Sequence, residues 1–289
     1  MTFKTSDPVP LTVAVLGAGW LGEPLARALA AAGHPVRVST TSAVKLPGLL
    51  AANLNPHRLA LEPDSDPADW RGFLGYSDAL VVTLPPGLRG ASAPAAAAAQ
   101  YIDRLVRLGA LLAATPVRRV VLLSSTAGYP DLPGAPELAE DAADPAHLLV
   151  RAEAALAAAL PSGVAFVVAR LGGLMGPGRA PGRFFKTGQT VPQPDAPVNM
   201  LHLTDAVGAV RALLVHPTAE GVFAVCAADH PTRRLFYCAA ARALRLPEPA
   251  FTAADAGPVQ GKQVSSARLR GITGYQFCYD DPVAALTAG

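Results

Sequence analysis

The feature that most constrains this chain is a glycine-spaced turn near its start. Residues 11–16 (L-T-V-A-V-L) form an apolar run that reads as a buried strand. It delivers directly into Gly17-Ala18-Gly19-Trp20-Leu21-Gly22, and residues 20–32 then read as a helix ending at Gly33. G-x-G-x-x-G is weak by itself, but between a strand and a helix it has a mechanism. The first glycine permits the tight turn, the second lets a pyrophosphate approach the backbone, and the third lets helix pack on strand. The helix N-terminus adds unpaired N–H groups and partial positive charge. The turn therefore predicts a dinucleotide site built on Gly17, Gly19, Trp20, Leu21 and Gly22.

The alternation continues. Residues 36–40 read as a second strand, 43–53 as a helix, 57–61 as a third strand and 79–84 (A-L-V-V-T-L) as a fourth, stopped by Pro85-Pro86-Gly87. A long helix follows at 93–114, with Gly109 a mild weak point by propensity. Residues 119–124 make a fifth strand, 145–160 a helix and 164–170 a sixth strand. Continuous apolar strands separated by helices imply a parallel sheet covered on both faces. The expectation is an α/β fold: a doubly wound Rossmann parallel sheet with helices on both faces over residues 1–170.

After Arg170 the texture changes, and residues 172–197 are rich in Gly and Pro. A helix near 204–215, a short strand at 222–225 and a helix at 233–244 follow. Residues 171–289 read as a smaller C-terminal α+β region capping the strand ends for a small-molecule substrate, with segments free to return to the Rossmann sheet.

The totals exclude other classes. A net charge of +2 on 289 residues provides no field for nucleic acid, and Arg118-Arg119 and Arg233-Arg234 are isolated pairs. Arg104, Arg107, Arg118 and Arg119 interrupt the most apolar stretch, so no membrane span is expected. The opening M-T-F-K-T-S-D-P-V-P lacks a signal-peptide core, and a cytoplasmic location is expected. Cys226, Cys238 and Cys278 show no metal-ligand or C-x-x-C spacing and read as idle thiols, with no metal implied.

The end of the second strand addresses which dinucleotide. NAD sites place Asp or Glu there to hold the ribose 2′-hydroxyl. This chain has Ser39, Thr40, Thr41 and Ser42, with Lys45 three residues on. Hydroxyls and an ammonium suit a 2′-phosphate, so NADP is expected in preference to NAD. Ser42 is also placed to cap the next helix.

With these residues in place, the chain resembles the atypical extended short-chain dehydrogenase/reductases, the NAD-dependent epimerase/dehydratase-like family. L-G-A-G-W-L-G-E-P-L-A resembles the family's glycine turn, S-T-T-S-A-V-K its second-strand loop and V-V-T-L-P-P-G (Val81 to Gly87) the loop after the fourth strand. L-L-S-S-T-A-G-Y-P-D (Leu122 to Asp131), A-R-L-G-G-L-M-G-P-G-R (Ala169 to Arg179) and N-M-L-H-L-T-D-A-V (Asn199 to Val207) match later segments in order. The resemblance implies that Leu84, Pro85, Pro86, Gly87 and Ser124 border the cofactor. Leu171 and Gly172 would approach the nicotinamide, Ser125 would be the catalytic hydroxyl, and Arg179 and Asn199 would face substrate. For Asn199, His202 and Asp205 a structural role as polar pins stands beside the functional one. A homodimer is implied by the resemblance alone.

One family element is missing. Its chemistry uses Tyr-x-x-x-Lys, with the Tyr exchanging a proton and the Lys tuning it. Residues 145–160 contain neither Tyr nor Lys. Anchoring on Glu153 places Pro145 and Leu149 at those positions, whereas a two-residue slide gives His147 and Arg151, which keep i, i+4 geometry. Tyr129, four residues after Ser125, is another candidate acid. The expectations that follow are an NADP-preferring reductase with a non-standard proton donor, a non-catalytic NADP(H)-binding redox sensor or regulator, or, ranked lower, an epimerase or dehydratase.

Overall fold

The computed structural model describes residues 10–62, 65–87, 94–185, 189–253 and 257–287. The chain runs β1 (Val13–Leu16), α1 (Gly22–Ala31), β2 (Val36–Thr40), α2 (Leu46–Ala51), β3 (Asn55–Arg58), α3 (Pro67–Leu74), β4 (Ala79–Val82), α4 (Pro94–Leu112) and β5 (Arg119–Ser125). The two-residue strands β6 (Leu132–Pro133) and β7 (Glu137–Leu138) precede α5 (Leu148–Ala159) and β8 (Ala165–Leu171). The rest comprises β9 (Gly173–Met175), β10 (Met200–His202), α6 (Leu203–Val215), β11 (Gly221–Val225), α7 (Arg233–Ala243), β12 (Gln260–Gly261), β13 (Gln263–Val264) and α8 (Ala267–Thr273).

Seven parallel strands form the main sheet in the order β11-β8-β5-β4-β1-β2-β3. Alternate residues of each strand feed two cores. Val13, Val15, Val38, Val81 and Val121 pack against α1 and α6 through Leu25, Leu29, Val210 and Leu213. Ala14, Leu16, Leu80, Val82 and Leu122 pack against α3, α4 and α5 through Trp70, Phe73, Leu105 and Leu156. The seventh strand is the short run expected at 222–225, which comes back as β11 and pairs with β8 at the sheet edge.

Three expectations shift locally. The third strand is Asn55–Arg58 and not 57–61, because it must reach β2 in the register Arg37↔Asn55 to Thr40↔Arg58. The helix expected over 43–53 divides into a 3-10 turn (Ala43–Lys45) and α2, with Pro47 in the first turn of α2. The helix expected from 145 begins at Leu148, which turns His147 into its N-cap. The expected helix start at 93 lies outside the described residues.

Beyond β8, β9 pairs in parallel with β10, and Met175, Val198, Met200 and Phe236 form a small separate core beneath α7. The segment 260–264 returns to the loop after β5, pairing β12 with β6 and β13 with β7. No described helix is long and apolar enough to cross a membrane.

Candidate functional site

The sheet order reverses between β1 and β4, so the chain leaves these neighbours in opposite directions and a crevice opens at their carboxyl ends. The glycine turn forms one wall. Gly17 has φ +113°, and a Cβ there would lie 2.6 Å from Thr83 Oγ1. A Cβ on Gly22 would overlap the carbonyl oxygen of Gly17. The chain's own packing therefore requires both glycines. Gly19 differs: it is exposed, and a Cβ there would meet nothing within 4 Å. Packing within the chain does not require a glycine at this position.

The other wall follows β4. The Thr83 hydroxyl sits 2.9 and 2.8 Å from the carbonyl oxygens of Leu16 and Gly17, tying the two strand ends together. Leu84, Pro85, Pro86 and Gly87 come next and are half-buried or exposed along the crevice. Trp20 reaches across: its Nε1 donates to the Pro177 carbonyl at 2.8 Å. The Arg179 guanidinium lies over the indole at 5.5 Å, while its Nε donates to the Leu174 carbonyl at 2.9 Å. Trp20 and Arg179 thus strap the 176–179 loop to the glycine turn. Leu171 is buried, and a Cβ on Gly172 would lie 3.0 Å from the Asn199 carbonyl oxygen and 3.2 Å from Cys226 Sγ.

At the β2 edge the expected phosphate-binding residues divide into two groups. Ser39 is buried, its hydroxyl accepts the Gly17 N–H at 2.9 Å, and its carbonyl accepts the Ala18 N–H at 2.7 Å. Lys45 Nζ donates to the Ala18 carbonyl at 2.7 Å and lies 3.7 Å from the Glu23 carboxylate. These two brace the turn itself. Thr40 is buried and its hydroxyl accepts the Ser42 N–H at 3.1 Å. Thr41 is exposed, and Ser42 stands at an N-cap without making a capping bond.

Behind β5 lies a network that the sequence reading did not assemble. Glu153 and Arg170 are both buried, with Arg170 Nη2 2.7 Å from Glu153 Oε2 and Nε 3.2 and 3.1 Å from the two carboxylate oxygens. Ser124 donates to Glu153 Oε1 at 2.5 Å, and Arg170 Nη1 donates to the Tyr129 hydroxyl at 3.2 Å and the Glu140 carbonyl at 2.9 Å. Tyr129 is 2% exposed, and burial pushes its phenol above the ordinary value despite the Arg170 bond. Ser124 therefore faces inward to this network. Ser125, at the end of β5, is half-buried and accepts the Ala127 N–H at 3.2 Å.

His147 is half-buried at the N-cap of α5, where its Nδ1 accepts the Leu149 N–H at 3.2 Å. Arg151 is exposed, with no side-chain partner among the described residues. Asn199 engages both ends of its amide with the returning C-terminal segment, donating to the Lys262 carbonyl at 2.9 Å and accepting the Val264 N–H at 2.7 Å. Asp205, fully buried, accepts from the Tyr275 hydroxyl and from the N–H groups of Cys278 and Tyr279. His202 caps α6 through Nδ1. Burial depresses its pKa below the ordinary histidine value, with Asp205 pulling partly the other way.

No family model matches the chain. Protein YeeZ of Escherichia coli K12 is 34% identical, and the match covers 94% of this chain and 97% of YeeZ. Among solved structures, a proposed NAD-dependent epimerase/dehydratase from Methylobacillus flagellatus is 26% identical with a TM-score of 0.73, over 96% of this chain and 97% of that one. The chain belongs to the extended short-chain dehydrogenase/reductase-like family. Two further members of the fold are an Agrobacterium tumefaciens short-chain dehydrogenase/reductase superfamily protein with bound NAD and a human epimerase family protein with NADPH. The first has a TM-score of 0.76 at 18% identity over 96% of each chain. The second has 0.72 at 20% identity over 96% of this chain and 98% of the other.

Proposed function

We propose that the protein is a nicotinamide-dependent oxidoreductase of this family that prefers NADP and uses a proton donor other than the family's tyrosine. The observation that carries the reading is Gly19, a glycine left open between two that packing demands, at the crevice where β1 and β4 diverge. The N–H groups of Gly19, Trp20, Leu21 and Gly22, just ahead of the helical bonding that begins with Glu23 N–H to the Gly19 carbonyl, make no hydrogen bond among the described residues and suit a pyrophosphate. Thr41 and Ser42 lie at the adenosine end, and Leu84 to Gly87 line the opposite wall. When bound, the nicotinamide supplies or takes up a hydride.

The residues of the chain supply the rest. Ser125, at the end of β5, can hold a substrate oxygen. With His147 Nδ1 engaged as the acceptor of the capping bond, Nε2 is the ring nitrogen left to donate to a developing alkoxide. Tyr129 is buried with its hydroxyl engaged, so it is poorly placed to perform that task. The same burial, with no Tyr or Lys over residues 145–160, favours one other reading: a non-catalytic NADP(H) sensor.

Quenching of tryptophan fluorescence during NADPH and NADH titrations tests binding, and NADPH consumption with a panel of small carbonyl compounds tests turnover. Turnover that falls about 10²–10⁴-fold in His147→Asn, and little in Tyr129→Phe, supports the enzyme. Firm binding without turnover, with different affinities for NADPH and NADP⁺, supports the sensor. Binding of neither coenzyme at millimolar concentration defeats both.

A further inference from the structure

Between Glu23 and Glu62 the sequence contains no acidic residue, yet Arg27, Arg37, Lys45 and Arg58 all fall in that interval. The interval covers most of α1, all of β2, α2 and β3, the side of the sheet that receives the adenosine half of a dinucleotide in doubly wound folds. Three of these cations are committed elsewhere. Arg27 pairs with Glu23 at 2.9 Å. Arg37 donates to the Gly72 carbonyl and lies over the Tyr76 ring at 5.1 Å. Lys45 binds the Ala18 carbonyl.

Arg58 is the remaining one. It is the last residue of β3 and is exposed, and among the described residues no hydrogen bond, ion pair or ring contact holds its guanidinium. Its Cα partner is Thr40, the last residue of β2. Neighbouring parallel strands lie about 4.8 Å apart and paired residues face the same side. The long stem of Arg58 therefore spans easily to the space beside Thr41 and Ser42, where β2 ends and a ribose 2′ substituent would stand. A guanidinium presents a planar fork that matches a phosphate in two hydrogen bonds, which an ammonium cannot do.

We propose, resting on the dinucleotide reading above, that Arg58 receives the 2′-phosphate of NADP and sets the coenzyme preference. Lys45, the cation that the sequence nominates, instead braces the glycine turn through Ala18.

The test is fluorescence titration of the full chain with NADPH and NADH, with 2′,5′-ADP and 5′-AMP as competitors. Wild type, Arg58→Ala and Arg58→Lys are compared. Arg58→Ala should weaken NADPH and 2′,5′-ADP by roughly 10- to 100-fold while NADH and 5′-AMP change less than about twofold. Arg58→Lys should recover part of the loss, and all three melting temperatures should coincide, since the side chain is exposed. A variant that binds NADPH as wild type does, or that loses NADPH and NADH equally, overturns the assignment. So does a wild type that binds NADH more tightly than NADPH. A wild type that binds neither coenzyme defeats the dinucleotide reading itself, which is a different result.

Discussion

Replacing Glu153 with Ala should cost the fold far more than replacing both members of its ion pair. The pair is almost dry, with side-chain exposures of 4% for Arg170 and 7% for Glu153. In Glu153→Ala the guanidinium keeps only the Tyr129 hydroxyl and the Glu140 carbonyl, and a buried positive charge is left without its counter-ion. Breaking a buried pair in this way costs about 3–5 kcal/mol. At about 2–4 °C per kcal/mol for a large domain, that is a fall in Tm of roughly 6–20 °C. The double variant Glu153→Leu with Arg170→Met removes both charges and keeps much of the volume. Its remaining cost is the Ser124, Tyr129 and Glu140 groups that lose partners, about 1–3 kcal/mol for each one left truly unsatisfied. Ser124 and Tyr129 carry hydroxyls that can rotate to new acceptors, so the double should melt above the single. Thermal unfolding followed by far-UV circular dichroism at pH 7.5 reads both. A single variant that melts within about 3 °C of wild type, or a double that melts below it, would refute this account of the network.

Three further outcomes follow from the same geometry. Gly22→Ala should destabilise the fold because its methyl would overlap the Gly17 carbonyl oxygen, whereas Gly19→Ala should melt like wild type but lose the stabilisation that NADPH gives; melts with and without coenzyme separate the two. His202 is held neutral by burial, so the unfolded state takes up a proton first. Stability should be intact above about pH 6.5 and be lost as pH falls through the depressed folded value. His202→Asn, which keeps an N-cap acceptor, should show a shallower loss of Tm between pH 7.5 and 5.5, and equal slopes would remove the argument. Burial pushes the Cys226 thiol up to about 12, so maleimide at pH 8 should label it only after unfolding in urea, and native labelling at the rate of exposed Cys278 would contradict that.

The centre of the sheet is legible because strands such as β1 and β4 are apolar on both sides and its turns carry their own chemistry, whereas the polar β3 (N-P-H-R) gives no such signal. The strand expected at 36–40 coincides with β2, Val36–Thr40, and the short run at 222–225 signals a strand but not its place beside β8. α3 is absent from the expectations above although its signal is in the sequence: Asp66 caps it through the Ala68 N–H, Pro67 opens it, and Trp70, Phe73 and Leu74 supply one buried face. Gly109 looked like a weakness in a helix. The structure gives it a reason, since a Cβ there would lie 2.7 Å from the Ala159 carbonyl oxygen between α4 and α5. The network of Ser124, Tyr129, Glu153 and Arg170 is not readable from spacing, because its members come from three separate segments (the end of β5 with its following loop, α5 and β8) that only the fold brings together.

Polar groups at the carboxyl end of the sheet fall into two sets, and the division bears on where chemistry can occur. Ser39, Glu153, Arg170, Asn199 and Asp205 are matched to partners within the chain. A buried group already satisfied can serve a ligand only after breaking a bond, and the group left behind then bears a desolvation cost of about 1–3 kcal/mol. The N–H of Gly19, the side chains of Thr41 and Arg58 and the Nε2 of His147 carry no such commitment among the described residues, and they come from the turn after β1, the ends of β2 and β3, and the start of α5. A dinucleotide laid from β3 across the crevice toward β5 would meet adenosine-side, pyrophosphate and reacting-end groups in that order. Asn199, which the resemblance directs at substrate, and Asp205, for which a structural role stands beside the functional one, belong to the first set: both bond the returning C-terminal segment.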